Sequence, residues 1–230
     1  MKDQLYTTLF SRTLNSIFIQ PGARAFTAIA TSFALAAGLL ILTPYTLQAQ
    51  TVFWSDDFEA SGSPSSGTRT PELEGGSSNA YFGRAEDNGT NTLFINGNTV
   101  SFSDYSNQSG SWFWAGENHD NISGNSQSEL QINWSGIDIS GYSNIQFLGL
   151  FGADDSGNFE SDNQVYVEYR INGSGPWVQG LRIEANNNDD WAVDTDNDGD
   201  GDSPVLSEGM TQLSFDIPAT GTTMELRIRV

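Results

Sequence analysis

Cysteine is absent from the 230 residues, which excludes a disulfide framework and thiol chemistry. It does not place the chain in a reducing compartment, because many exported bacterial proteins lack cysteine as well. Basic side chains are scarce: 9 Lys and Arg stand against 29 Asp and Glu, a formal net charge of -20. A chain this acidic repels a phosphate backbone and an anionic membrane surface, so nucleic acid is excluded as a partner. Histidine occurs once, at His119, so clustered His ligands are ruled out, and there is no Gly-rich phosphate loop or basic aromatic stripe. Hydrophobic residues nevertheless make up 37% and aromatics 12%, too much for a disordered acidic chain. A packed domain is expected.

What is there begins with a leader. Lys2, Arg12 and Arg24 precede an apolar run from Phe26 to Leu42, and small Ala49 follows at a cleavage-compatible position. Residues 1–49 read as a signal-peptide helix cut after Ala49, giving a secreted or cell-surface protein with no membrane attachment after cleavage. A transmembrane anchor is the competing reading, since 17 apolar residues lie at the lower edge of a bilayer span. Helix-breaking Pro44 and the polar stretch before Ala49 favour processing. Residues 50–230 then form one domain without lysine, whose cations are Arg69, Arg84, Arg170, Arg182, Arg227 and Arg229.

Beyond residue 50 no window carries a helical period. Short apolar or alternating runs recur between clusters of Gly, Asn, Ser and Asp, which predicts an all-β protein. Val165, Val167, Tyr169 and Ile171 alternate with Tyr166, Glu168 and Arg170, and Asn172-Gly173 follows as a hairpin signal. The run "IQFLGLF", Ile145 to Phe151, is almost wholly apolar, as in a central strand covered on both faces. A two-sheet antiparallel β-sandwich accounts for both patterns.

The stretch "WSDDFE", the segments "YFGRAEDNGTN" and "GSWFWAGENHDN", the hairpin, and the run from "WAVDTDNDGDGD" to "TMELRIRV" occur in an order that resembles the jelly-roll modules of secreted bacterial proteins. These are similar in outline to MAM domains and carbohydrate-binding modules. The resemblance implies a jelly-roll recognition or structural module, often one part of a larger exported polypeptide, in which bound calcium is common. It also implies a closing strand after "TMELRIRV", pairing near "TVFWSDDFE" and completing a calcium site with Asp56, Asp57 or Glu59. The 50–230 sandwich is therefore expected to be C-terminally truncated.

In "DTDNDGDGD", Asp194, Asp196, Asp198, Asp200 and Asp202 stand at alternate positions. Asp194, Asp196 and Asp198 followed by Gly199 match the start of an EF-hand-type loop. The twelfth position is Val205 instead of a bidentate Glu, and no helix flanks it, so a calcium-stabilised connection between strands is expected instead. The alternative is a solvated acidic loop. Five like charges this close repel unless a cation neutralises them, which favours Ca²⁺.

Trp112 and Trp114 are two apart on a predicted strand, so they share a face, and paired tryptophans of a sandwich are most often core. Tyr166, Glu168, Arg170 and Trp177 are the candidate ligand-binding set, with rings to stack on a polysaccharide or cell-surface glycan and polar groups, Gln179 among them, to orient it. No nucleophile motif accompanies His119, a lone loop histidine expected at the surface, so no catalytic residue is assigned and the protein reads as a non-enzyme. The expected function is a secreted calcium-stabilised adhesion or structural module of a larger protein. A carbohydrate-binding module comes second, and a hydrolase built on Glu117 and Glu168 third.

Overall fold

The computed structural model describes residues 17–21, 52–59, 63–77, 80–87, 92–95, 97–101, 105–153, 163–218 and 220–230. The strands in chain order begin with β1 (Ile17–Pro21), β2 (Trp54–Asp56), β3 (Thr68–Pro71), β4 (Gly75–Ser77) and β5 (Ala80–Asp87). They continue with β6 (Thr92–Ile95), β7 (Asn98–Ser101), β8 (Trp112–Glu117), β9 (Gln131–Asp138) and β10 (Ile145–Phe151). The last are β11 (Gln164–Ile171), β12 (Val178–Ala185), β13 (Trp191–Val193), β14 (Thr211–Ile217) and β15 (Thr223–Arg229). Between β8 and β9 lies one turn of 3-10 helix, His119–Asn121.

The chain is an antiparallel β-sandwich, as expected, with a third sheet added to the expected pair. One layer has the order β14-β10-β1-β2 and the other β13-β12-β11-β15-β9-β3. A five-stranded sheet, β4-β5-β6-β7 with β8 paired to β5, completes the fold. Alternation along β5 and β8 serves two cores: Phe82 and Trp114 join the main cluster, while Tyr81, Ala85, Phe113 and Ala115 join a second one. β10 is covered on both faces for this reason, with Ile145, Phe147 and Phe151 in the main cluster and Leu150 packed against the second.

The alternation read from β11 holds. Val165, Val167 and Tyr169 are buried in the main core and Ile171 packs against it. Asn172 (φ 55) and Gly173 (φ 62) both adopt the left-handed conformation, as their sequence signalled. The connection to β12 is longer than a tight hairpin, however, spanning residues 172–177. The Asn172 side chain explains part of this: its Oδ1 accepts from Thr222 N (3.0 Å) and Thr223 N (3.3 Å), binding the turn to the start of β15.

Within the stretch read as a leader, Ile17–Pro21 is a strand rather than helix, antiparallel to both β10 and β2. The apolar run from Phe26 to Leu42 and the expected cleavage position at Ala49 fall outside the described residues. β1 thus pairs with one side of β2, which is the last strand in the order of its sheet. "TMELRIRV" is an interior strand, β15, between β11 and β9, and Val230 exchanges backbone hydrogen bonds with Leu130 (2.9 and 3.0 Å).

The layers are pinned across the core by a buried charge pair. Asp56 on β2 is 1% exposed, and Arg69 Nη1 from β3 of the facing sheet donates to both its oxygens, at 2.7 and 2.8 Å. Trp134 Nε1 on β9 donates to Oδ2 (2.7 Å) and Phe58 N to Oδ1 (3.1 Å). Asp56 therefore holds an internal guanidinium, and Glu59 Oε1 accepts from Ser111 N (3.0 Å). Removing one partner of such a pair strands the other charge in the core. Asp56→Asn is expected to destabilise the fold by about 3–5 kcal/mol in urea melts. Adding Arg69→Met should restore most of that loss, because no uncompensated charge then remains.

Candidate functional site

The acidic loop is built by β13 and the return of the chain beside it. Ala192 and Val205 form an isolated bridge, and Leu206 N donates to Trp191 O (2.7 Å), so residues 194–202 are an excursion between two extended segments. The excursion folds down onto β12: Asp194 N donates to Arg182 O (3.0 Å) and Gly201 N to Ala185 O (3.2 Å). Turning this tightly requires left-handed residues, supplied by Asn197 (φ 63) and Gly199 (φ 95). Carboxylates then cap the loop's own amides, Asp194 taking Asn197 N (2.6 Å) and Gly199 N (3.1 Å), and Asp202 taking Thr195 N (2.8 Å) and Thr195 Oγ1 (2.5 Å).

Three of the five aspartates converge. Asp194, Asp196 and Asp202 each place an oxygen within 4.8 Å of the others. Asp198 and Asp200 are not part of that group: Asp200 Oδ2 accepts from Asn187 Nδ2 (2.5 Å), and Asp198 Oδ1 from Asp200 N (3.0 Å). The crowding has an electrostatic signature. The negative charge of Asp198 beside it, with lesser contributions from Asp202 and Asp194, raises the pKa of Asp196. Hydrogen bonds from Thr195 lower that of Asp202.

Beneath the loop lies a carboxylate that the aspartate pattern did not single out. Glu184 on β12 belongs by alternation to the outer face of its sheet, yet it is 1% exposed because the loop covers it. Arg182 Nη2 pairs with Glu184 Oε1, and Arg182 Nη1 lies 3.2 Å from Asp194 Oδ2. Desolvation raises the pKa of Glu184 against the opposing pull of Arg182. Among the described residues its Oε2 has no hydrogen-bond partner.

The candidate ligand-binding residues do converge, on the outer face formed by β11 and β15. Register sets Tyr166 opposite Arg229, Glu168 opposite Arg227 and Arg170 opposite Glu225. Glu168 accepts from Arg227 Nε (2.7 Å) and Arg229 Nε (3.2 Å), and Glu225 from Arg170 Nε (2.5 Å). The guanidiniums lie over rings: Arg170 and Arg227 are 4.6 and 4.3 Å from the Trp177 centroid, and Arg229 is 4.1 Å from that of Tyr166. Gln179 is directed elsewhere, donating to Asn197 of the acidic loop.

Trp114 is buried against Phe82 (5.2 Å) and Phe58 (6.1 Å), and half-buried Trp112 packs on the same core beneath the Arg84 guanidinium (5.4 Å). Glu117 and Glu168 stand on strands of different sheets, β8 and β11, and Glu168 is committed to its two arginines.

His119 is not at the surface. It is 3% exposed, its Nε2 donates to Ser128 O (3.2 Å), and its Nδ1 is buried with no hydrogen-bond partner among the described residues. Desolvation lowers its pKa below 6.5, outweighing the Ser128 carbonyl and Asp120. The unfolded chain therefore binds a proton that the folded chain resists. The stability contributed by neutral His119 is present above pH 6.5 and is lost as pH falls through the lowered folded value. Thermal melts from pH 7.5 downward should show this loss, and His119→Gln should remove that part of the slope.

No family model matches the chain, and no curated protein or solved structure matches it either.

Proposed function

We propose that the protein is a secreted β-sandwich that serves as a non-catalytic adhesion or structural module of a larger exported polypeptide, stabilised by calcium in the acidic loop. The observation that carries the calcium reading is the approach of Asp194, Asp196 and Asp202 oxygens to within 4.8 Å of one another. Such a set of hard oxygen donors suits Ca²⁺, which takes six to eight of them at about 2.3–2.6 Å. The loop leaves β13 and the chain returns beside it, so a bound cation would tie the edge of the six-stranded sheet. Processing after Ala49 would also free the facing edges of β2 and β10, which β1 occupies in this structure.

Binding to the folded state alone stabilises by RT ln(1 + [Ca²⁺]/Kd), about 2.7 kcal/mol at a hundredfold excess over Kd. EDTA should therefore lower the melting temperature and CaCl₂ restore it, while Asp196→Asn with Asp202→Asn should abolish the difference. An unchanged melting curve in EDTA would leave the loop as a solvated acidic run.

A second reading, a carbohydrate-binding module, is favoured by the convergence of Tyr166, Glu168, Arg170 and Trp177 on one face. A sugar ring stacking on Trp177 must displace Arg170 or Arg227 from it, so ligands with carboxylate or sulfate groups are favoured over neutral glycans. On a glycan array, binding should concentrate on acidic polysaccharides and be lost in Trp177→Ala. Uniformly negative arrays would remove this reading and leave the structural one.

A further inference from the structure

The charges beneath the acidic loop do not balance. Glu184 and Asp194 are 1% and 4% exposed, and the guanidinium of Arg182 is shared between them. Two buried carboxylates thus share one positive charge, under a loop that adds four more aspartates. Arg182 also serves them imperfectly: its Nε is buried without a hydrogen-bond partner, as is Glu184 Oε2 among the described residues. Buried carboxylates without a full complement of donors are costly, and Glu184, outside the group of three aspartate oxygens, is reached by the loop at Gly199. Gly199 shows the approach, since a Cβ placed on it would lie 3.7 Å from Glu184 Oε2 and 3.8 Å from Arg182 Nη2.

We propose that Glu184 is the sheet-borne ligand of the loop's calcium site, and that Arg182 is a resident counter-ion which calcium displaces from Glu184 and Asp194. This deepens the calcium reading above and rests on it. The loop supplies Asp194, Asp196 and Asp202, and β12 supplies the buried carboxylate that the loop alone lacks. Calcium brings two positive charges where Arg182 brings one, so exchange neutralises the pair of buried carboxylates and leaves Arg182 free to move. Tyr166 is its nearest alternative, with the ring centroid 5.7 Å from Arg182 Cζ and the two residues in register on β11 and β12. The site is thereby linked to the arginine-rich face, because Arg229 already lies over the same ring.

Competition between a guanidinium and a metal predicts effects of opposite sign at the two residues. Calorimetric titration of the full chain with CaCl₂ is the test, with metal-free thermal melts confirming that each variant folds. Glu184→Gln should weaken calcium by at least the roughly 10–100-fold that loss of an outer-shell partner costs. Glu184→Asp, which keeps a carboxylate, should recover part of it. Arg182→Gln should lower the metal-free melting temperature and yet tighten calcium binding. If Asp196→Asn with Asp202→Asn loses calcium while Glu184→Gln binds at the original Kd, the loop site stands and the role of Glu184 is overturned. If Arg182→Gln weakens calcium, displacement is overturned. If the unaltered chain takes up no calcium, the calcium reading itself fails, and this inference with it.

Discussion

The Asp56–Arg69 pair is the constraint on which the layered arrangement depends. It joins the second strand of the chain to the third across the interior, and each strand belongs to a different sheet. A buried charge pair needs its remaining lone pairs satisfied, and the Asp56 carboxylate has them met by Trp134 Nε1 and the Phe58 amide. The geometry is costly locally. Phe58 carries a φ of 57°, a region that bulky residues avoid, and its burial among Trp114, Trp134 and Arg69 keeps it there. The ion pair therefore fixes the spacing of the layers and the backbone that leaves β2.

From that spacing follows what each face can carry. With the inner side of β11 and β15 committed to Val165, Val167, Leu226 and Ile228, the period of two forces Tyr166, Glu168, Arg227 and Arg229 outward. Antiparallel register then sets opposite charges across from one another, and the aromatic rings fill the gaps between the guanidiniums. Pairs of this kind on a partly exposed face contribute at most about 1 kcal/mol each. They serve to order the face more than to hold the fold together.

Alternation was legible wherever a strand faces one core, as in β11 and β15, and the apolar "IQFLGLF" correctly announced a strand buried on both sides. The material covering its second side was not legible, because the third sheet joins β5 and β8 to strands of three or four residues, in pairings set by tertiary contact. Asp56 and Arg69 are 13 residues apart and carry no local pattern that distinguishes them from surface charges. Glu184 is harder still. Its parity marks it as outward and solvated, and only a loop that arrives ten residues later makes it buried. His119 fails in the same way: a lone polar residue in a loop reads as exposed until the connection through Ser128 closes over it. The aspartate run was visible as a cluster, but which three of its members converge depends on where Asn197 and Gly199 turn the chain.

The scarcity of positive charge gives the molecule a common design. Every arginine beyond residue 49 is set both against a carboxylate and over an aromatic ring: Arg69 with Asp56 and Phe58, Arg84 with Glu74 and Trp112, Arg170 with Glu225 and Trp177. Arg227 joins Glu168 and Trp177, Arg229 joins Glu168 and Tyr166, and Arg182 joins Glu184 and Tyr166. A planar guanidinium can bond a carboxylate at its edge while its face lies on a ring, whereas a compact, strongly hydrated ammonium cannot do both. That difference accounts for a domain with arginine and no lysine. It also locates where the scheme is exhausted. At five of these positions the guanidinium serves a carboxylate or two at the sheet or in the core, while at Arg182 one guanidinium faces Glu184, Asp194 and the rest of the aspartate run. The other five arginines beyond residue 49 are each already engaged with a carboxylate and cannot relieve this excess.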